Sequence, residues 1–221
     1  MEIILIGAQG SGKGTQAQML AQAFGVPHIS SGDLFRKEIE AQTEIGLQAG
    51  TYLDRGELVP DDLTVAMILQ RLQQVDCKSG VLMDGFPRTI AQAKALDNGL
   101  REVGKQVHAV VYLNVPREEL LQRLSGRYIC KAHQHVYNVY TRPPQQAGVC
   151  DLDGSELYQR SDDVGAAVQR RLDIFFKQTI HLLDYYGDQE KVVEVNGNQS
   201  VDAVHEALVK GIHTRTDDMN D

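Results

Sequence analysis

Five short apolar runs punctuate the chain: Ile3-Ile4-Leu5-Ile6, Val26-Pro27-His28-Ile29, Val81-Leu82-Met83, Ala109-Val110-Val111-Tyr112-Leu113 and Val192-Val193-Glu194-Val195. Their mostly unbroken apolar character predicts strands buried on both faces, as in a parallel sheet. Helical patterns lie between them. One is expected over 15–24, and Ser30-Ser31-Gly32-Asp33 offers N-caps for another that carries Leu34, Phe35 and Ile39. Asp61-Asp62 opens a helix in which Val65, Ile68, Leu69 and Leu72 recur at helical spacing, and Pro116 begins one through Leu124. A long amphipathic helix is predicted over 164–186 and a closing helix over 201–212. The polar tail 214–221 is expected to fray.

Strands alternating with helices imply an α/β fold: a five-stranded parallel sheet with helices on both faces. Two stretches break the rhythm. Residues 30–59 read as a small, mostly helical insertion. Residues 127–160 hold Tyr128, Tyr137, Tyr140, Pro143-Pro144 and several glycines without a long helical period, and read as a small β-rich insertion. The core is then 1–29, 60–126 and 161–221.

Candidate chemistry begins directly behind the first strand. Gly7-Ala8-Gln9-Gly10-Ser11-Gly12-Lys13-Gly14-Thr15 sits between strand and helix, the order a phosphate-binding P-loop requires. Glycines let successive backbone N–H groups converge on phosphate oxygens, the helix start adds its positive end, and Lys13 adds a full charge. Gly14 stands where Ser or Thr is usual, and Thr15 follows one place later. A glycine turn alone would say little; the strand, the lysine and the helix together predict a nucleotide site of the P-loop NTPase type. Asp84-Gly85-Phe86-Pro87-Arg88 follows the third strand. An Asp at the carboxyl end of a parallel strand lies where ligands bind and can orient Mg²⁺ or its waters. Arg88 at a shaped turn can hold an anion. The bland alternative is a surface Asp and Arg in an ordinary turn.

The chain has 221 residues and a formal net charge of -8, which disfavours nonspecific binding to nucleic acid. No apolar run approaches a membrane span, and the first residues carry no basic segment with a cleavage site. Cys77, Cys130 and Cys150 make no disulfide framework, so a cytoplasmic location with reduced thiols is expected.

The motifs at 7–16, Ser31-Gly32-Asp33-Leu34-Phe35-Arg36 and Asp84-Gly85-Phe86-Pro87-Arg88-Thr89 resemble those of the adenylate kinase family. So do Gly126-Arg127, Tyr158-Gln159-Arg160-Ser161-Asp162-Asp163 and Arg170-Arg171-Leu172, and the likeness runs in register from residue 1 to about 212. The resemblance implies a P-loop core, a monophosphate-binding insertion at 30–59, a long lid at 127–160, and the reaction Mg·ATP + AMP ⇌ 2 ADP. On the ATP side it implies Gly10, Ser11, Gly12, Lys13, Gly14, Thr15, Arg123, Arg127 and Gln199. On the AMP side it implies Ser31, Arg36, the backbone of Glu57, Leu58 and Val59, Gly85, Arg88 and Gln92. Arg160 and Arg171 would surround the transferred group, so that Lys13, Arg88, Arg127, Arg160 and Arg171 form the catalytic set. Asp84 is expected near Mg²⁺. Register alone favours Arg171 over Arg170. The Glu57 side chain is expected to face solvent, and Ser31 could instead be a helix cap. Gln9 replaces the family's common Pro. ATP, AMP and ADP would be the partners, with no nucleic acid or membrane, and a monomer is implied. The open alternatives are a monophosphate kinase of other base preference (UMP/CMP or GTP:AMP), a P-loop regulatory switch and a zinc-stapled interaction module.

The lid carries a separate signal: Cys130-x-x-His133 followed by Cys150-x-x-Asp153. Two thiolates, an imidazole and a carboxylate can surround Zn²⁺, and a small insertion with little core would gain a staple from it. His135 and Asp151 are the competing imidazole and carboxylate; a metal-free polar network and a Cys130–Cys150 disulfide are the other readings. Cys77 has no paired ligand.

Overall fold

The computed structural model describes residues 1–160, 163 and 165–217. Its first strand shows why the apolar runs are unbroken. β1 (Glu2–Gly7) is buried throughout, and its side chains divide by parity: Ile4 and Ile6 enter one core, Ile3 and Leu5 the other. The chain continues through α1 (Lys13–Phe24), β2 (His28–Ser30), α2 (Ser31–Glu40), α3 (Glu44–Leu53), α4 (Asp61–Leu72) and β3 (Val81–Asp84). It then forms α5 (Ile90–Glu102), β4 (Val107–Asn114), α6 (Arg117–Ser125), β5 (Arg127–Cys130), β6 (Val136–Asn138) and β7 (Leu157–Tyr158). α7 (Gly165–Lys177), α8 (Leu182–Gly187), β8 (Val192–Asn196) and α9 (Val201–Asp217) complete it.

The predicted five-stranded sheet is present, all parallel, in the order β2-β3-β1-β4-β8. Residues of α1 and α9, among them Leu20, Leu208 and Ile212, cover one face with Ile3 and Leu5. Residues of α4 to α8, among them Ile68, Leu96, Leu120, Leu172 and Tyr186, cover the other with Ile4 and Ile6. After β1 the chain builds β2 and β3 on one side of it and then crosses to build β4 and β8 on the other, so a crevice opens beyond its carboxyl end, where ligands of open α/β sheets bind. Register aligns Asp84 with Leu5 on one side and Ser30 on the other, bringing the P-loop, Asp84 and the start of α2 to one edge.

Both interruptions fold on small cores of their own. Phe35, Ala49 and Val59 are buried together between α2, α3 and the segment before α4. β6-β5-β7 form a three-stranded antiparallel sheet over Cys130, Tyr137, Cys150 and Leu157.

Several expected bounds change. α1 begins at Lys13, two residues earlier than expected, because Gly12 caps it in a left-handed conformation at φ 97°. The long helix over 164–186 is two helices: the backbone breaks at Gln178 (φ -129°, ψ -58°) into a short tight turn at Thr179–His181. The break lets the buried Thr179 hydroxyl donate to the Arg88 carbonyl at 3.0 Å. Its expected start at Val164 lies outside the described residues. The tail does not fray at 214. α9 continues through Asp217, with Thr216 Oγ1 bonded at 3.1 Å to the carbonyls of Ile212 and His213, while 218–221 lie outside the described residues. No helix among the described residues is long and apolar enough to cross a membrane.

Candidate nucleotide cleft and lid metal site

The loop after β1 turns on Gly10 and Gly12, whose φ values of 84° and 97° a β-carbon would strain. That places the unpaired N–H groups of the α1 start at the sheet edge. Lys13 Nζ folds back onto the carbonyls of Gly7 (2.7 Å) and Ala8 (2.9 Å). Burial lowers the Lys13 ammonium to about 8; Asp84 opposes that, and Arg88, Arg171 and Arg127 add to it. A group this short of negative charge is prepared for a phosphate.

Asp84 ends β3 facing Lys13. Burial would raise its carboxyl, but His28, Lys13 and Arg88 outweigh this and hold it below the ordinary carboxylate range. His28 Nε2 stands 3.6 Å from Asp84 Oδ2. After Asp84 the chain turns at Gly85 (φ 75°), where a β-carbon would come within 2.9 Å of Ser31 Oγ and 3.0 Å of Arg88 Nη2. The Gly85 carbonyl accepts from Ser31 Oγ and from Arg88 Nε, each at 2.7 Å. The cap of α2 is Ser30, which accepts from the Asp33 N–H, so Ser31 is not the cap.

Lys13, Arg36, Arg88 and Arg171 line one cleft of about 680 Å³ including its mouth. An adjoining recess of about 330 Å³ is lined by Ser31, Glu57, Leu58, Val59, Gly85 and Gln92 among others. Gln92 is buried, with Oε1 accepting from the Arg88 N–H and Nε2 donating to Asp61 Oδ1, both at 2.7 Å. The structure separates the two neighbouring arginines on α7. Arg171 lines the cleft, whereas Arg170 reaches Glu57 Oε1 at 2.9 Å. The Glu57 side chain is therefore half-buried between Arg170 and Arg55, against the expectation that it faces solvent.

The remaining arginines are held by acids and amides. Arg36 pairs with Asp33. The fully buried Asp163 pairs with Arg127, whose Nε donates to it at 2.8 Å, and with Arg171 at 3.1 Å. Burial, then Arg36 and Arg127, lower Arg160 from its usual value. Arg123 is turned from the cleft toward the loop after β8, bonding Gly197 O (3.2 Å) and Asn198 Oδ1 (2.9 Å). Gln199 lies in that loop, with Nε2 on the Asn196 carbonyl at 3.1 Å. Of the expected motif at 158–163, Ser161 and Asp162 lie outside the described residues.

In the lid, one ligand atom each from Cys130, His135, Cys150 and Asp153 lie within 4.8 Å of one another. The imidazole in this group is that of His135 in place of the expected His133. His135 Nδ1 is 3.3 Å from both Cys150 Sγ and Asp153 Oδ2, whereas the exposed His133 bonds Asp153 Oδ2 from outside at 2.7 Å. Asp151 has another task, accepting from the Gln145 N–H at 2.9 Å. Burial raises the Cys130 thiol, but bonds from Ser155 and the His133 N–H leave it below its usual value, as a thiolate ligand needs. The three cysteines are free thiols, so the disulfide reading falls. Two soft donors, an imidazole and a carboxylate suit Zn²⁺.

Sequence reading missed Asp163 as a clamp, although it ends a quoted motif, and it missed His28 behind Asp84, Thr179 and Gln134. Only Asp163 had a local signal.

A P-loop whose cleft offers cations to phosphate from both sides, beside a second recess for an acceptor, defines a P-loop nucleotide phosphotransferase. A family model described as adenylate kinase matches residues 5–191. The chain belongs to the adenylate kinase family, enzymes of class EC 2.7.4.3. Relatives named adenylate kinase include that of Bacillus velezensis, 45% identical over 205 residues covering 93% of this chain and 94% of the relative. That of Brevibacillus brevis is 46% identical over 204 residues (92% and 95%). That of Caldicellulosiruptor bescii is 45% identical over 212 residues (96% and 99%).

Proposed function

We propose that this chain transfers the γ-phosphoryl group of ATP to AMP, forming two ADP, with the donor on the P-loop and the acceptor in the recess beside Gln92. The convergence of Lys13, Arg36, Arg88 and Arg171 on one cleft carries this reading. A phosphate oxygen of AMP attacks the γ-phosphorus, and the bond to the β–γ bridging oxygen breaks with its electron pair leaving on ADP. No nucleophilic side chain is required. The protein's work is alignment and stabilisation of spread negative charge. Lys13 meets the β- and γ-phosphates; Arg36 and Arg88 hold AMP; Arg127, Arg160 and Arg171 gather around the transferred group once phosphate displaces Asp163. Arg123 and Gln199 shape the loop that receives the ATP base. Ser31, Val59 and Gln92 line the acceptor-base recess. Closure of the lid at 127–160 excludes water, which would otherwise take the phosphoryl group.

Asp84, kept anionic in a cationic surrounding, suits Mg²⁺ or its waters. Bound Mg²⁺ supplies charge neutralisation at the β- and γ-phosphates. In the lid, Cys130, His135, Cys150 and Asp153 suit a structural Zn²⁺, with His133 supporting Asp153. That ion stabilises a β-sheet whose own core is small. The free thiols and charge of -8 support a cytoplasmic protein, and insertions that close over one core support a monomer. Initial rates of ADP formation with AMP, UMP, CMP and GMP as acceptors, and ATP or GTP as donor, test the reading. Preference for ATP with AMP is expected; comparable rates with UMP or CMP would overturn the base assignment.

A further inference from the structure

Gln134 occupies a backbone position that favours glycine. Its φ is 59°, the left-handed region where a β-carbon is crowded, so its side chain is retained at some cost in stability. It sits in the turn between β5 and β6, between His133 and His135. Its N–H bonds the Cys130 carbonyl at 3.0 Å, and its Nε2 reaches the same carbonyl at 3.4 Å. The other end of the amide leaves the lid turn: Oε1 accepts from Arg160 Nη2 at 3.1 Å. Arg160 Nε is buried without a partner among the described residues. One edge of the guanidinium is therefore anchored while another donor waits for an anion.

We infer that Gln134 is a positioning residue for phosphoryl transfer, holding the Arg160 guanidinium so that its remaining donors meet the phosphate. The inference rests on the reading that Arg160 contacts the transferred group. Arg160 stands among Arg36 and Arg127 on one side and Asp163 and Asp33 on the other, so an unanchored guanidinium on its flexible stem has several competing orientations before substrate arrives. A neutral amide suits the task better than a carboxylate. It fixes orientation without cancelling the charge that the phosphate needs. The anchor also joins the metal-binding turn of the lid to the reacting centre, so closing the lid carries Arg160 in a set orientation.

The test compares Gln134→Gly, which removes the anchor and relieves the backbone, with Gln134→Met, which removes the acceptor and keeps the strained backbone. Arg160→Lys and the Arg160→Lys/Gln134→Met pair complete the set, all in the full chain with metal content measured. Losing the anchor leaves Arg160 less well aimed in the transition state, which predicts that kcat and kcat/KM fall together by roughly three- to tenfold in both Gln134 variants. Melting temperature should rise or hold for Gly and hold or fall for Met, with metal content unchanged. In the Arg160→Lys background, Gln134→Met should cost nothing further. Unchanged kcat in the single Gln134 variants, or a loss that follows metal content, would overturn the inference while leaving the function intact. Near-native turnover of Arg160→Lys would instead remove the assigned role of Arg160, and the inference with it.

Discussion

Thr179 Oγ1 donates to the backbone carbonyl of Arg88 at 3.0 Å, across 91 positions of sequence. This bond places the break between α7 and α8 against the turn that aims Arg88 into the cleft. Thr179 is buried, so Thr179→Val keeps shape and removes that buried donor. We expect a stability loss of about 1 kcal/mol and a several-fold rise in KM for AMP, with KM for ATP little changed. Urea melts and initial rates at saturating MgATP check both.

That bond also marks where sequence stops being informative. The core strands are legible because Ile3 to Ile6 must be apolar on both faces, a pattern that few other environments demand. The P-loop is legible because its chemistry needs particular residues in unbroken order. Thr179 carries no such mark, since periodicity continues from α7 into α8 and only a distant partner gives the residue its role. The lid imidazole fails for a related reason. His133 and His135 flank the left-handed Gln134 in the turn between β5 and β6, so spacing favoured one while three-dimensional proximity favours the other. Arg170 and Arg171, adjacent on α7, are told apart only by the faces they present.

Ligand binding should take up a proton above pH 8. The Lys13 ammonium sits at about 8 in the ligand-free cleft against an ordinary 10.5. Because the folded value lies below the unfolded one, the cost of burying the charge is fully present below pH 8 and is relieved as pH rises from 8 to 10.5. Polyphosphate reverses the shift by favouring the ammonium. Above pH 8 the affinity for a bisubstrate mimic, two adenosines bridged by five phosphates, should therefore weaken by up to tenfold per pH unit. Calorimetry at pH 8.5 in two buffers of different ionisation enthalpy should find uptake approaching one proton per site. Lys13→Met should abolish both that uptake and transfer while remaining folded; proton-neutral binding by the parent protein would contradict the assignment.

Removing metal from the proposed lid site should act on stability before turnover. Cys130, Tyr137, Cys150 and Leu157 are a small core, and two of the four are the thiols themselves. Chelation should therefore lower the melting temperature by several degrees or more. At moderate temperature turnover of the folded protein should be little changed, because none of the four candidate ligands is among the residues proposed to meet phosphate. His135→Ala should lower metal content more than His133→Ala, which removes only the partner of Asp153. Scanning calorimetry and metal analysis on the same samples decide both points; immediate, metal-reversible loss of turnover in a still-folded protein would count against the division of labour.

The opposite end of the sheet offers a control for every stability effect above. Glu2 is only 2% exposed at the start of β1, with Lys105 Nζ at 2.8 Å and His108 Nδ1 at 3.1 Å. Burial alone would raise its carboxyl, but the bonds to His108 and Lys105 and the amino terminus win, leaving it at about 2. Its folded value lies below the ordinary 4.5, so this contribution is present above pH 4.5 and is lost as pH falls toward 2. Lys105 also donates to the Cys77 carbonyl at 2.9 Å, tying the segment before β3 to that before β4. Lys105→Met should therefore cost roughly 1–3 kcal/mol near neutral pH, because it leaves a buried carboxylate short of its main cation. The cost should shrink as the carboxyl protonates in acid. Turnover of the folded fraction should be unaffected, since the groups proposed to meet phosphate lie beyond the carboxyl ends of the strands and Glu2 sits at the other. Urea melts of parent and variant at pH 7 and pH 3.5 measure this difference directly; an equal cost at both would mean that the pair contributes packing and not charge.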